Sequence, residues 1–192
     1  MFHLGAVYDL MAEAEHQVRV NFDGTRNAIR FAANIKARRF NHVSSIAAAG
    51  LYAGIFREDM FEEAHGLDNP YFRTKHDSEG IVRSECPVPW RVYRPGIVVG
   101  DSRTGEMDKI DGPYYLFPTI KAIVDTVPKW LPLLGVEGGK IPIVPVDYVA
   151  DATIAIAHKP GLDGKAFQLL QTPQDSTGKI MEIFFDAAHG PG

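Results

Sequence analysis

Tyr71 and Lys75 stand four residues apart in the stretch NPYFRTKHDSEG, directly after Pro70. On a helix such positions share a face, so a phenol and an ammonium would lie side by side. A free tyrosine loses its proton near pH ~10, and a close cation lowers that value by roughly 1 to 3 units. Such a phenol can give and recover a proton near neutrality, while the bland use of the same spacing is a solvated helix pair. The apolar run RRFNHVSS ends on Ser44 and Ser45. A hydroxyl at a strand end can donate to a carbonyl oxygen more strongly as that oxygen gains charge, or it can simply satisfy a turn. In YRPGIVVG, Pro95 fixes the backbone and Gly96 admits a flat ring close by; a plain strand-to-loop turn has the same composition. Asn21 falls inside a helical pattern, where its amide could orient a buried water near Lys75 or face solvent.

Other chemistries find less support. No G-x-S-x-G surrounds the serines, so a nucleophilic triad is disfavoured. None of the seven histidines forms H-E-x-x-H and no CxxC occurs, so no metal site is expected; His3 and His42 are read as strand residues with local bonds. The single cysteine, Cys86, reads as a filler at a helix end and fits a reducing, cytoplasmic setting.

The elements that must position these groups alternate. MFHLGAVY reads as an opening strand and residues 13–36 as a helix with Val18, Phe22, Ile29, Ala32 and Ala33 near one face. Gly24 in that helix suggests close packing. RRFNHVSS is a second strand, and IAAAGLYAG and the acidic FREDMFEEAHGLDN are loops. A helix then runs from Pro70 to about Cys86, capped by Asn69. VPWRVYRPGIVVG is a third, nearly continuous apolar strand, as expected when both faces are covered. YYLFPTIKAIVDTV is a helix, KIPIVPV a strand, VDYVADATIAIAH a helix, KAFQLL a strand, and STGKIMEIFFDAAH a closing helix capped by Ser176 or Thr177. The alternation predicts an α/β domain with a parallel sheet, whose ligand lies beyond the carboxyl ends of the strands. The chain of 192 residues carries a net charge of −4 with no long block of one sign, so no nucleic-acid partner is expected. No apolar run reaches the ~18 residues of a membrane span. The apolar VPKWLPLLGVEGGKIPIVPV, broken by prolines and glycines, could line a pocket.

Taken in order, strand–serine, Tyr-x-x-x-Lys opening a helix, and strand–RPG resemble the extended short-chain dehydrogenase/reductase family. FHLGA, VNFDGTRNAIRFA and VPVDYVADA are similar to further segments of that family, and together they span almost the whole chain. VSSIAAAG, RTKHDSEGIV and above all GDSRTGEMDKIDGPYY resemble its thioester reductase and fatty acyl-CoA reductase (male sterility-like) branch. The resemblance implies hydride transfer from NADP(H), or else NAD(H), to an acyl thioester on CoA or a carrier, giving an aldehyde or alcohol. By position it makes Tyr71 the acid and Lys75 its tuning charge and ribose contact. Ser45, in preference to Ser44, holds the substrate oxygen, and Asn21 is the relay asparagine. Pro95, Gly96, Ile97 and Val98 would border the nicotinamide, Gly5 and Ala6 the adenosine side, and Ser44 would also contact the cofactor. Residues 1–100 and 141–158 would form a partial Rossmann-like domain, and 101–140 with 159–192 a small substrate lobe.

One departure stands out: the glycine-rich turn that opens the family's fold is absent from this sequence. About 70 residues, on the order of two βαβ units, would be missing, with the pyrophosphate cradle among them. The chain therefore reads as a fragment with impaired cofactor binding and an apolar sheet edge open to self-association. Two alternatives remain: a nucleotide-sugar epimerase/dehydratase or 3β-hydroxysteroid dehydrogenase-like enzyme, and a non-catalytic remnant or interaction module.

Overall fold

A computed structural model describes residues 1–7, 13–107, 118, 121–122 and 139–188. The chain divides into two compact units, Met1–Gly96 with Val149–Leu169, and Ile97–Tyr148 with Leu170–Gly192.

The first unit is built on a four-stranded parallel sheet of β1 (Phe2–His3), β2 (Phe40–Val43), β3 (Trp90–Pro95) and β6 (Lys165–Leu169), in that spatial order. Between β1 and β2 run α1 (Ala14–Gln17), a π-helical stretch Val18–Asp23, and α2 (Gly24–Asn34). Between β2 and β3 runs α3 (Pro70–Glu85). Ile29 and Ala32 from α2, Phe40, Ile81 and Val82 from α3, Val92 and Ala166 are buried as one core, with Cys86 packed against its rim. Each such large aliphatic contributes about 1.5–3 kcal/mol by leaving water. The fold is thus α/β with a parallel sheet.

Three expectations need correction. The opening strand is confined to Phe2–His3, because the Asn21 amide draws the next segment away by bonding Val7 on both sides (N–H to Oδ1 2.7 Å, Nδ2 to C=O 2.8 Å). The third apolar run is two strands. β3 ends at Pro95, whose nitrogen cannot donate; the Gly96 N–H turns to Leu169 O, and the Ile97 N–H to Pro142 O. Nor does crowding require Gly24: a Cβ there would meet Arg19 O at an ordinary 3.8 Å. It closes the π-helical stretch instead, its N–H reaching back five residues to Arg19 O.

In the second unit β4 (Ile97–Val99) pairs in parallel with β5 (Ile143–Pro145). There the Asp147 carboxylate accepts from Ser102 N–H (3.0 Å) and Oγ (2.7 Å), which holds it below the usual carboxylate range. α5 (Thr177–Ala188) starts with Ser176 Oγ accepting from Lys179 N–H. Val99, Ile141, Ile143, Ile180, Ile183 and Phe184 line most of an open cleft of about 200 Å³. The segment read as YYLFPTIKAIVDTV, and most of VPKWLPLLGVEGGKIPIVPV, lie outside the described residues. α4 (Val146–His158) precedes β6. Among the described residues no helix is long and apolar enough to cross a membrane.

Candidate active site

Because the four strands of the first sheet are parallel, their carboxyl ends open on one side. Leu4–Gly5–Ala6, Ser44–Ser45 and Gly96 follow β1, β2 and β3 there. Helix α3 begins with Asn69 Oδ1 accepting from Tyr71 N–H at 2.8 Å, with Pro70 in the first turn. That start sets Tyr71, Lys75 and Glu79 one turn apart along a single face.

Lys75 is 5 % exposed, yet its ammonium has no hydrogen-bond or ion-pair partner among the described residues. Burial alone pushes its ammonium down to about 8. Two imidazoles lie near it. His3 and His42, opposite one another across β1 and β2, stack with centroids 5.3 Å apart. Burial lowers both imidazoles, more so His42, and the Lys75 charge adds to it. His3 Nε2 meets Thr25 Oγ1 at 3.0 Å, and Thr25 gives its own proton to Asn21 O at 2.6 Å. His3 Nε2 is therefore the donor in that contact. His42, by contrast, finds no partner for either ring nitrogen among the described residues, so the expectation of local bonds holds for His3 and not for His42 there.

The two serines differ. Ser44 Oγ donates to Glu79 Oε2 at 2.9 Å and is committed. Ser45 caps the short 3₁₀ helix Ile46–Ala49, its Oγ accepting from Ala47 N–H at 3.1 Å, so its hydroxyl proton is left to donate. His76 Nδ1 meets Ala48 O at 3.0 Å and ties that turn to α3. Gly50 ends it at φ +63°, where a Cβ would strike His65 O. Asn21 is buried rather than exposed, and its Nδ2 also donates to Thr74 Oγ1 at 3.2 Å, next to Lys75. Gly5 is exposed and Ala6 half-buried; a Cβ on Gly5 would make only an ordinary 3.7 Å contact with His3. Pro95 is buried at the end of β3 and Gly96 half-buried after it, while Ile97 and Val98 open β4 in the second unit.

The unpaired, buried ammonium suits the hydroxyls of a nicotinamide ribose. Small residues at the neighbouring strand ends suit a flat ring, so the residues present fit that end of a dinucleotide. Sequence reasoning missed Glu79, whose carboxylate binds Arg94 twice (2.7 and 3.0 Å) and Arg83 Nε (2.8 Å). Burial works to raise that carboxyl, but the two guanidiniums prevail and hold it low. Two arginines inside the apolar run WRVYRP were the available signal.

A family of NAD-binding domains described as "Male sterility protein" matches residues 1–153. Among curated relatives, the non-canonical nonribosomal peptide synthetase FrzA of Cladobotryum sp is 29% identical over 88% of this chain and 17% of its own length. Aldehyde reductase lnbA of Aspergillus flavus is 26% identical over 98% of this chain and 20% of its own length. The chain thus spans about a fifth or less of these relatives. Among solved structures, the terminal R domain from the myxalamid PKS-NRPS biosynthetic pathway aligns with a TM-score of 0.80 at 24% identity, over 94% of this chain and 46% of that one. UDP-glucuronic acid 4-epimerase from Bacillus cereus, in complex with NAD, aligns at 0.71 with 19% identity, over 100% of this chain and 60% of that one.

Proposed function

Since the chain belongs to the male sterility protein family of NAD-binding domains, we propose that it carries the catalytic side of an NAD(P)H-dependent reductase acting on an acyl thioester. The relatives named as peptide synthetases favour a carrier-bound thioester over one on CoA. NADPH is taken as the donor on the resemblance to thioester reductases. A bound reduced nicotinamide would supply the hydride to the carbonyl carbon.

The chain's own residues would do the rest. Ser45 Oγ–H donates to the carbonyl oxygen and holds it as it gains charge. Tyr71 gives its phenolic proton to that oxygen, and loss of the thiol then leaves an aldehyde. Lys75 donates to the ribose hydroxyls and favours the Tyr71 phenolate by proximity of charge. Asn21 keeps Thr74 and the Val7 backbone in place beside it. The observation that carries this reading is the buried ammonium, with no counter-ion among the described residues, one turn from Tyr71. A structural lysine at that depth would be paired.

The test is NADPH oxidation with an acyl thioester on a carrier, on CoA, and with a UDP-sugar as comparison, the product identified by mass spectrometry. Aldehyde formed from the carrier-bound thioester, lost in Ser45→Ala and Tyr71→Phe, is the expected result. Turnover of the UDP-sugar with the acyl thioesters untouched would overturn it.

A further inference from the structure

Glu79 lies one turn beyond Lys75 on the same face of α3, and both are buried. An acid and a base at this spacing ordinarily pair. Here they do not. Arg94, 1 % exposed on β3, takes both Glu79 oxygens in a bidentate bond. Arg83 takes Oε1 from the solvent side, and Ser44 donates to Oε2. Arg94 is held in turn by Arg57 O and Met60 O, and lies over the Phe56 ring at 5.1 Å. The carboxylate has no lone pair to spare for an ammonium. Among the described residues, the titratable groups shown to act on Lys75 are the imidazoles of His3 from β1 and His42 from β2, while Tyr71 lies one turn away on its own helix.

We propose that Arg94 is a positioning residue that keeps Lys75 free for its ligand by occupying the Glu79 carboxylate. The ligand is the ribose of the Proposed function, so its identity rests on that reading; the state of Lys75 does not. With Arg94 present, the paired charges of Arg94 and Glu79 offset each other beside Lys75. Without it, only Arg83 from the solvent side offsets Glu79, a positive charge is lost beside Lys75, and the freed carboxylate oxygen can turn toward the ammonium.

The experiment is an NMR titration of the lysine side chains of the 192-residue chain, with Lys75 assigned by its loss in Lys75→Met. No cofactor or turnover is needed. Arg94→Gln keeps an amide donor for Met60 O but no charge, and Arg94→Met removes both. In each folded variant the Lys75 midpoint is expected to rise by a unit or more above the wild type. Adding Glu79→Gln to either variant removes the remaining charge, so the midpoint should return. A second readout is NADPH affinity, expected to fall about tenfold in Arg94→Gln and to recover in the double variant. A purely structural Arg94 would lower stability and leave the midpoint in place. An unmoved midpoint in folded Arg94→Gln, or a rise that persists in the double variant, overturns the proposal. Failure of all acyl-thioester turnover would sink the Proposed function and leave the titration result intact.

Discussion

The two ends of the parallel sheet in the first unit are both charged, and they use charge in opposite ways. At the amino ends, Asp163 is shared between Arg39 and Arg91, with Arg91 Nε at 2.8 Å. The same arginines reach the last carbonyls of α4, Arg39 to Ala157 O and Arg91 to Ile156 O. These cations suit the negative end of a helix. Arg39 first, and then Arg91, keep the Asp163 carboxyl below its ordinary range. At the carboxyl ends, the Lys75 ammonium is buried with no anion bound to it among the described residues. One end spends its charges on holding β2, β3, α4 and β6 together. The other holds a charge at a cost to stability, which is expected of a group kept for a ligand. Variants at the two ends should therefore fail in different assays.

The largest separation is expected for Tyr71→Phe. It removes one oxygen from a half-buried residue, so melting temperature and NADPH affinity should stay near wild type. Turnover of the acyl thioester should fall about 10²- to 10⁴-fold, the usual worth of a general acid. A variant with unaltered turnover would strip Tyr71 of its role.

At the opposite end, Asp163→Asn should do the reverse. It leaves Arg91, fully buried, without its anion. Breaking a buried pair costs about 3–5 kcal/mol, and the part-exposed Asp163 places this one near the low end, about 3 kcal/mol. Urea unfolding should show that loss, while the Lys75 titration midpoint stays put. A shifted midpoint would mean that the two ends are coupled and the contrast is false.

Lys75→Met tests the cost at the active end. Below pH ~8 folded and unfolded chains both carry this proton, and the folded chain carries it against burial. Between about 8 and 10.5 the folded chain releases the proton while the unfolded chain keeps it, so stability owed to Lys75 rises with pH across that window. Methionine has no such term. The variant should be the more stable of the two at neutral pH, and the gap should close by roughly 3 kcal/mol through the window. Parallel urea titrations at neutral and alkaline pH measure it. A gap independent of pH would show that the ammonium is well solvated or paired after all.

Local chemistry was legible in the sequence, and partner choice was not. The Asn69–Pro70 start, the four-residue step from Tyr71 to Lys75, and the parallel α/β sheet follow from spacing and punctuation, and the structure has them. The break of VPWRVYRPGIVV into two strands was missed because apolar continuity does not say which neighbour a strand pairs with; Pro95 and Gly96 hand the ladder from Leu169 to Pro142. The pairing of Glu79 with Arg94, fifteen positions away, was invisible for a related reason. Helical spacing proposes Lys75 as the partner of Glu79, and only the packing of β3 against α3 overrides it. Asn21 looked as suited to solvent as to the core until the Val7 backbone was found on its amide.

The smallest effect expected is at Asn69, and it bears on how firmly the active end is built. Its side chain satisfies the Tyr71 N–H, one of the orphan donors of the first turn. Asn69→Ala should cost about 1 kcal/mol, while Asn69→Asp should cost little, since a carboxylate caps as well and suits the helix dipole. Tyr71 sits in the turn that would fray, whereas Lys75 is a turn further in and Glu79 is pinned by four bonds. Turnover should then fall several-fold in Asn69→Ala while NADPH affinity, which depends on Lys75, holds. If affinity and turnover fell together, the first two turns of α3 would be moving as one body, and the anchoring at Glu79 would not reach as far as Lys75.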